Sequence, residues 1–252
     1  MAGPRDFYDD LAADYHLIFP DWWTSATRQG GALTELFHRY GIDPPATVYD
    51  CTCGIGTQAL PLAAAGFRVT GSDLSPAAVE RARTEAAARG LEVSLSVADV
   101  RALPARRFDA VVSLDNSLPH LLTDADLAAA VRSVRACLGP GGLFLASTRD
   151  YDAILRDGTA GVPAAVHGTG ASRRIVGQAW EWAADRRTVE INIFVLRPGG
   201  DSWTAAVHST TYRALRRAEL TAALRAGGFA EVGWLMPGES GYYQPVVVAR
   251  AE

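Results

Sequence analysis

The chain contains no lysine; all 24 of its basic residues are arginine. That absence excludes a P-loop lysine, a Schiff-base lysine and the Tyr-x-x-x-Lys pair of some dehydrogenases. A GC-rich coding bias accounts for the arginine excess, so the excess carries no functional reading. Positive charge is not in surplus either. The 28 acidic residues leave a net charge of -4, and a pI near 5.8 speaks against a nucleic-acid partner, which selects a basic surface. Cysteine is scarce: Cys51, Cys53 and Cys137 have no histidines or further cysteines at zinc-ligand spacing, so no metal is expected. A sparse, odd cysteine count fits a reducing compartment. No apolar run approaches the roughly 18 residues that span a bilayer, so no membrane partner is expected. Residues 1–10 are polar and acidic, without a signal or transit pattern. The expected location is cytoplasmic.

What the sequence does have is Val48-Tyr49-Asp50-Cys51-Thr52-Cys53-Gly54-Ile55-Gly56-Thr57-Gln58, followed by a second apolar run that ends on Asp73. The order is strand, glycine turn, helix, strand, acid: the opening unit of a nucleotide-binding α/β sheet. Two glycines let the backbone turn where side chains would collide with a ligand. Amides at the start of the next helix then point at that ligand. Asp73 stands 17 residues after Gly56, where the end of a neighbouring parallel strand brings a carboxylate to two ribose hydroxyls. Cys51 and Cys53 read as small residues beside the ligand.

The 252 residues suffice for one large α/β domain with a decorated edge. Residues 7–41 read as a helical cap, in which Tyr8, Leu11, Tyr15 and Ile18 recur at helical spacing before Phe19-Pro20-Asp21 breaks the run. Asp21 or Thr24 caps the following helix. From 47 to 150 the chain alternates between strands (47–51, 67–72, 92–97, 108–114, 142–148) and helices (57–65, 76–89, 124–137). That alternation predicts a parallel sheet covered on both faces. After Tyr151 the pattern changes. Runs 173–183, 188–197 and 202–212 are rich in Ile, Val, Trp and Thr, and good turn sequences separate them. They predict an inserted antiparallel meander within 151–212. Residues 213–252 supply a last helix (216–226) and strands 229–236 and 243–249.

These segments resemble a class I S-adenosylmethionine-dependent methyltransferase, more closely the glycine/sarcosine N-methyltransferase-like group. The resemblance rests on Tyr15-x-x-Ile18-Phe19-Pro20-Asp21-Trp22, Asp50-x-x-Cys53-Gly54-x-Gly56, Gly71-Ser72-Asp73-Leu74-Ser75-Pro76 and Ala98-Asp99. Leu114-x-Asn116-Ser117-x-x-His120, Arg149-Asp150-Tyr151-Asp152 and Glu239-Ser240-Gly241-Tyr242-Tyr243-Gln244-Pro245 extend it. It covers most of the chain and is more specific for methyl transfer than for the acceptor. It implies a Rossmann-like, seven-stranded, mainly parallel sheet with the last strand antiparallel, a helical cap and an inserted β lid, all in a single domain.

The resemblance also implies roles. The cofactor is S-adenosyl-L-methionine and the product S-adenosyl-L-homocysteine. Asp50, Thr52, Gly54 and Gly56 form the turn around its methionine part. Asp73 holds the ribose, Leu74 packs on adenine, and Asp99 with Val100 meets the adenine edge. Leu114 and His120 lie beside the cofactor, and Tyr15, Trp22 and Arg28 reach it from the cap, Arg28 pairing with the methionine carboxylate. Asn116 and Arg149 face the acceptor, Arg149 as a carboxylate clamp. The usual first glycine of the turn is Thr52 here, a departure the family tolerates in other small residues.

Read from the residues alone, several of these positions have a blander alternative. Arg28 could lie on a solvated helix face, Asn116 could turn its loop, and Arg149 could pair with Asp150 or Asp152. His120 is a structural hydrogen-bonder, a cofactor contact or a general base. Trp180, Trp182, Trp203 and Trp234 fall on strands, where burial is the default. Trp180 and Trp182 share a face by period two; if that face meets the pocket, with Tyr151, Tyr242 and Tyr243 nearby, a flat aromatic acceptor or a cation–π contact is favoured. The expected activity is methyl transfer to a nitrogen of a small molecule, an amino acid or an aromatic or indolic amine. O- or C-methylation of a small natural product, nicotinamide-dependent oxidoreduction and cofactor binding without catalysis are the alternatives, and the sequence leaves a homo-oligomer open.

Overall fold

Alternation along short strands sends Val48, Ala110 and Val112 to one face of a sheet and Tyr49 and Val111 to the other, and helices bury both faces. The protein is described by a computed structural model covering residues 3–200 and 202–252. Its main sheet contains β1 (Thr47–Asp50), β2 (Arg68–Asp73), β3 (Ser94–Val97), β4 (Phe108–Ser113) and β5 (Leu138–Ser147), with β10 (Phe229–Leu235) and β11 (Val246–Ala251). The order is β10-β11-β5-β4-β1-β2-β3. Strand β11 runs antiparallel to both neighbours while β1 to β5 pair in parallel, as the resemblance implies. The order reverses at β1, and ligands of such sheets bind at the carboxyl ends beside that reversal.

The cap comprises α1 (Pro4–Leu11), a 3-10 turn at Tyr15–Ile18 and α2 (Trp22–Arg39). Asp21 caps α2 by accepting the Thr24 N–H at 2.7 Å. Helices α3 (Ala59–Ala64), α4 (Pro76–Ala88) and α5 (Asp124–Ala136) connect the parallel strands. Ser75 caps α4 through the Ala78 N–H, with Pro76 at the first helical position. Helices α6 (Tyr151–Asp157), α7 (Arg217–Ala226) and α8 (Pro237–Ser240) complete the chain.

The insertion is a second sheet of four strands, one more than the hydrophobic runs predict. Strands β7 (Arg174–Trp182), β8 (Thr188–Gly199) and β9 (Ser202–Arg213) follow the expected meander, and β6 (Gly161–His167) adds an edge. Pro163 hides β6 in the sequence. A proline is admitted only where no ladder donor is needed, and the β6–β7 register shifts between Val162 and Ala165. Val189, Ile191 and Ile193 of β8 pack with Trp180 against Phe7 and Leu11 of α1. The lid is therefore bound to the cap by a hydrophobic cluster of its own; each fully buried side chain of this size contributes about 1.5–3 kcal/mol. Strand β5 also begins earlier than its sequence pattern indicates, because Leu138 pairs with Phe108 ahead of a bulge.

Candidate active site

The carboxyl ends of β1, β2 and β4 open into a cavity of about 370 Å³, closed from above by Pro4 and Tyr8 of α1 and by Tyr15. The turn after β1 forms its floor. Gly54 and Gly56 hold φ of +52° and +93°, a region that costs other L-residues roughly 1–2 kcal/mol. A Cβ on Gly56 would stand 2.7 Å from Leu60 Cγ, whereas one on Gly54 would meet nothing within 4 Å. Gly54 lines the cavity and Gly56 does not. One glycine admits the neighbouring helix; the other leaves room for a ligand.

Asp73 fixes this turn from the end of β2. Its Oδ2 accepts the Gly54 N–H at 2.8 Å and its Oδ1 the Ser75 N–H at 2.9 Å. Each carboxylate oxygen keeps acceptor capacity for a ligand in the cavity it lines. Burial pushes the Asp73 carboxyl up from its ordinary range, against the pull of backbone donors at Ser75, Gly54 and Leu74. Asp50 sits outside the lining, wholly buried, with Oδ1 facing the Thr52 N–H at 3.4 Å and Oδ2 unpartnered. Burial lifts it to about 8. Thr52 lines the cavity, and its hydroxyl meets Ser113 Oγ at 3.1 Å. Leu74, Ala98, Asp99 and Val100 form the far wall, and Leu114 the near one. Asp99 is engaged by Arg101, whose guanidinium also reaches Asp126 at 2.6 Å. That hydrogen bonding holds the Asp99 carboxyl below the usual range.

A second cavity of about 530 Å³ lies between the cap, the lid and the loops after β4, β5 and β10. Its walls are mostly apolar and aromatic: Phe7, Leu11, Ile18, Phe19, Ile154, Trp180, Ile193 and Tyr212 among them. Arg149 is the cation in this wall. It donates to Gln178 Oε1 at 3.0 Å and lies 4.7 Å from the Trp180 ring centroid, while its buried Nε has no partner. It forms no salt bridge among the described residues, and Asp150 and Asp152 pair with Arg217 instead. The two cavities share three lining residues: Tyr8, Tyr15 and Asp115.

Asp115 is the site residue that sequence reasoning passed over. It occupies the unassigned position between Leu114 and Asn116, with φ of +54°, and Asn116 follows at +67°. The Asp115 N–H donates to Ser147 Oγ at 2.8 Å, and its Oδ1 receives the hydroxyls of Tyr242 at 2.5 Å and Tyr243 at 2.7 Å. Burial raises its carboxyl, opposed by those hydroxyls, the Gln58 amide and the Arg149 charge. The available hint was an Asp-Asn pair directly after a strand, a composition suited to left-handed backbone.

Several expected site residues stand one step behind the walls. Trp22 is buried, and its indole N–H donates to Thr57 Oγ1 at 3.0 Å. Arg28 lies on the exposed side of α2, outside both linings. Its neighbour Gln29 takes the inward position and accepts from Gln58 at 2.7 Å, so a pairing of Arg28 with a ligand carboxylate has no support from this placement. Asn116 lines neither cavity. Its Oδ1 accepts the Arg149 N–H at 3.0 Å and its amide donates to the buried Tyr151 hydroxyl at 3.1 Å, which ties the β4 and β5 loops together. Tyr151 and Tyr242 are buried supports, whereas Tyr243 reaches the second cavity.

His120 lines the first cavity, enclosed by the rings of Phe7, Tyr8 and Tyr212. Its Nε2 lies 3.0 Å from the Tyr8 hydroxyl. Burial lowers its pKa to about 3, against a smaller opposing effect of the Thr211 backbone. An imidazole so disposed is neutral at physiological pH and a weak base. Tyr8 and Tyr15 are held firmly protonated by burial.

Comparison with known proteins agrees with this geometry. Residues 48–142 match the family described as a methyltransferase domain. A ubiquinone biosynthesis O-methyltransferase of Methylocella silvestris is 40% identical over 173 residues, covering 58% of this chain and 66% of that protein. A glycine/sarcosine N-methyltransferase of Parasynechococcus marenigrum is 32% identical over 159 residues, covering 62% of this chain and 55% of the relative. The chain thus spans between about half and two thirds of these relatives' lengths. The crystal structure of an S-adenosylmethionine-dependent methyltransferase from Clostridium acetobutylicum superposes with a TM-score of 0.76 at 15% identity, covering 98% of each chain, which shows a shared fold. This chain carries a class I S-adenosylmethionine-dependent methyltransferase domain. The residues present suit that cofactor. Gly54 leaves room at the turn, Asp73 presents acceptors in the wall, and the carboxylates of the lining (Asp73, Asp99, Asp115 and Asp126) outnumber its one arginine, Arg101, which gives the cavity the negative character a sulfonium needs. Among the described residues no cluster able to hold a metal occurs, and no helix is long and apolar enough to cross a membrane.

Proposed function

We propose that the protein transfers a methyl group from S-adenosylmethionine to a nitrogen of a small molecule seated in the second cavity. The observation that carries this reading is the arrangement of two cavities with three common lining residues, one bounded by the glycine turn and Asp73, the other holding a guanidinium with no carboxylate partner among the described residues. The cofactor, when bound, supplies an electrophilic methyl on a sulfonium. The work left to the protein is alignment of a lone pair and exclusion of water, worth on the order of 7–11 kcal/mol. Asp73, Leu74 and the turn orient the nucleoside end. Tyr8 and Tyr15 cover the junction, and the apolar lining removes water from it.

Nitrogen is favoured over oxygen by the proton inventory. An ammonium gives its proton to water before binding and then attacks as the neutral amine, whereas an alcohol is too weak an acid to ionise that way and needs a base. His120 at about 3 and the protonated phenols of Tyr8 and Tyr15 are poor candidates for that base, and the Asp115 carboxylate is already engaged by two tyrosine hydroxyls. Arg149 favours an acceptor with a carboxylate, since its planar fork suits bidentate pairing, and the breadth of the cavity favours an apolar or aromatic body over glycine. The test is a screen with labelled cofactor against amino acids and their decarboxylated amines. Arg149→Ala is expected to lower kcat/KM at least 100-fold for the former, and far less for the latter. Equal losses on both would remove the carboxylate clamp; labelling of neither by the native enzyme would remove the acceptor class.

A further inference from the structure

We propose that Asp115 holds the acceptor nitrogen through an N–H···Oδ2 hydrogen bond and stabilises the positive charge that appears there as the methyl arrives, so that this side chain selects nitrogen over oxygen. The inference rests on the reading of the second cavity as the acceptor site. Of the three residues common to both cavities, Asp115 alone is a carboxylate. It faces both cavities.

The carboxylate is built into place at a conformational cost. Two consecutive non-glycine residues, Asp115 and Asn116, hold left-handed backbone, and strain of this kind persists only where surrounding contacts over-determine it. Ser147 accepts the Asp115 N–H through its hydroxyl and the Asn116 N–H through its carbonyl. Tyr242 and Tyr243 both reach Oδ1. That fixes the carboxylate plane, with the Gln58 amide also close by, and each carboxylate oxygen has more than one acceptor position, so Oδ2 can take a further N–H from a ligand. The partly buried setting strengthens its interaction with a charge that develops close by.

The chemistry follows from where charge goes. A neutral amine donates one N–H to Oδ2 and keeps its lone pair for the methyl. That lone pair forms the N–C bond while the S–C pair returns to sulfur, so the positive charge leaves sulfur and appears on nitrogen beside the carboxylate. The ammonium then releases its proton to water. A phenolic or alcoholic acceptor attacks best as an oxyanion, and its negative charge would face the charge of Asp115.

The test compares Asp115→Asn with the native enzyme on phenylalanine and tryptophan and on their hydroxy-acid counterparts, phenyllactate and indolelactate. Asparagine tolerates the left-handed region and keeps an oxygen for the tyrosine hydroxyls, so the substitution removes the charge and little else. The native enzyme is expected to methylate the amino acids and spare the hydroxy acids. In the variant, kcat on the amino acids should fall about 100-fold and KM less than threefold. S-adenosylhomocysteine affinity by calorimetry and the melting temperature should stay near native. A variant kcat within threefold of native would overturn the proposal, as would a matching loss of cofactor affinity and melting temperature, which marks a structural role. Native activity on the hydroxy acids equal to that on the amino acids overturns the selection. Native activity on neither class removes the acceptor reading itself, and the proposal with it.

Discussion

The two glycines of the β1 turn predict opposite failures when each is replaced by alanine. At Gly56 the backbone sits at φ +93° and the new Cβ falls 2.7 Å from Leu60 Cγ and 2.9 Å from Cδ1. Leu60 is fully buried, so it has little room to retreat. The left-handed conformation costs alanine about 1–2 kcal/mol and overpacking a further ~1–3 kcal/mol. Reduced freedom of the unfolded chain returns roughly 0.4–1 kcal/mol. The net loss is about 1–4.5 kcal/mol, which lowers Tm by roughly 2–18 °C in a domain of this size. At Gly54 the φ is +52° and no protein atom lies within 4 Å of the added methyl. Only the conformational cost of about 1–2 kcal/mol applies, less the same unfolded-chain gain of roughly 0.4–1 kcal/mol, for a net of about 1 kcal/mol and a fall of about 2–4 °C, and the methyl meets the ligand instead. Thermal unfolding of both variants, with calorimetric titration of S-adenosylhomocysteine, separates the effects. Gly54→Ala should lose at least tenfold in affinity while remaining the better folded. A Gly56→Ala variant that melts within 1 °C of native, or a Gly54→Ala variant that binds normally, would refute the division of labour.

Two further outcomes are expected. Asp73→Ala should weaken S-adenosylhomocysteine at least tenfold, about 1.4 kcal/mol, and unchanged affinity in calorimetry would remove Asp73 from the ribose site. Asp50, lifted to about 8 by burial, binds its proton more tightly folded than unfolded. The stability it confers is present at pH below about 4 and is lost as pH rises towards 8, at up to about 1.4 kcal/mol per pH unit. Asp50→Asn should flatten the decline of Tm between pH 5 and 8; parallel curves for the two proteins would show that Asp50 is not the group responsible.

The arrangement explains why so few charged groups are needed. Positioning is done by backbone: the turn after β1, the left-handed pair after β4, and the junction of the β4 and β5 loops through Asn116. On the proposed reading the charges nearest the reaction are Asp73 on the nucleoside side, Arg149 on the acceptor side and Asp115 between them, while Asp99 pairs with Arg101 in the far wall. Aromatic rings from the cap and lid supply the rest of the enclosure, and they belong to the separate hydrophobic cluster that joins α1 to β8.

The sequence by itself determined what depends on near neighbours along the chain. Short β-rich apolar runs marked β1, β2 and β4, Ser75-Pro76 marked the start of α4, and Gly54 and Gly56 marked a turn that other residues would strain. The spacing to Asp73 followed, because a parallel βαβ unit has little freedom in length. Tertiary structure alone decided which member of an adjacent pair faces the cavity. Gln29 turns inward rather than Arg28, Tyr243 lines the wall rather than Tyr242, and Asp115 rather than Asn116 meets both cavities. The tyrosine pair and the Asp-Asn pair lie in irregular segments, where no short-range period fixes the facing, whereas Gln29 shares the buried stripe of α2 with Leu33 and Leu36 and was hidden by its polarity. The choice was made by contacts from elements more than a hundred residues away, such as Tyr242 reaching back to Gln29 and Asp115. Strand β6 was decided in the same way, since with Pro163 in it only pairing to β7 makes it a strand.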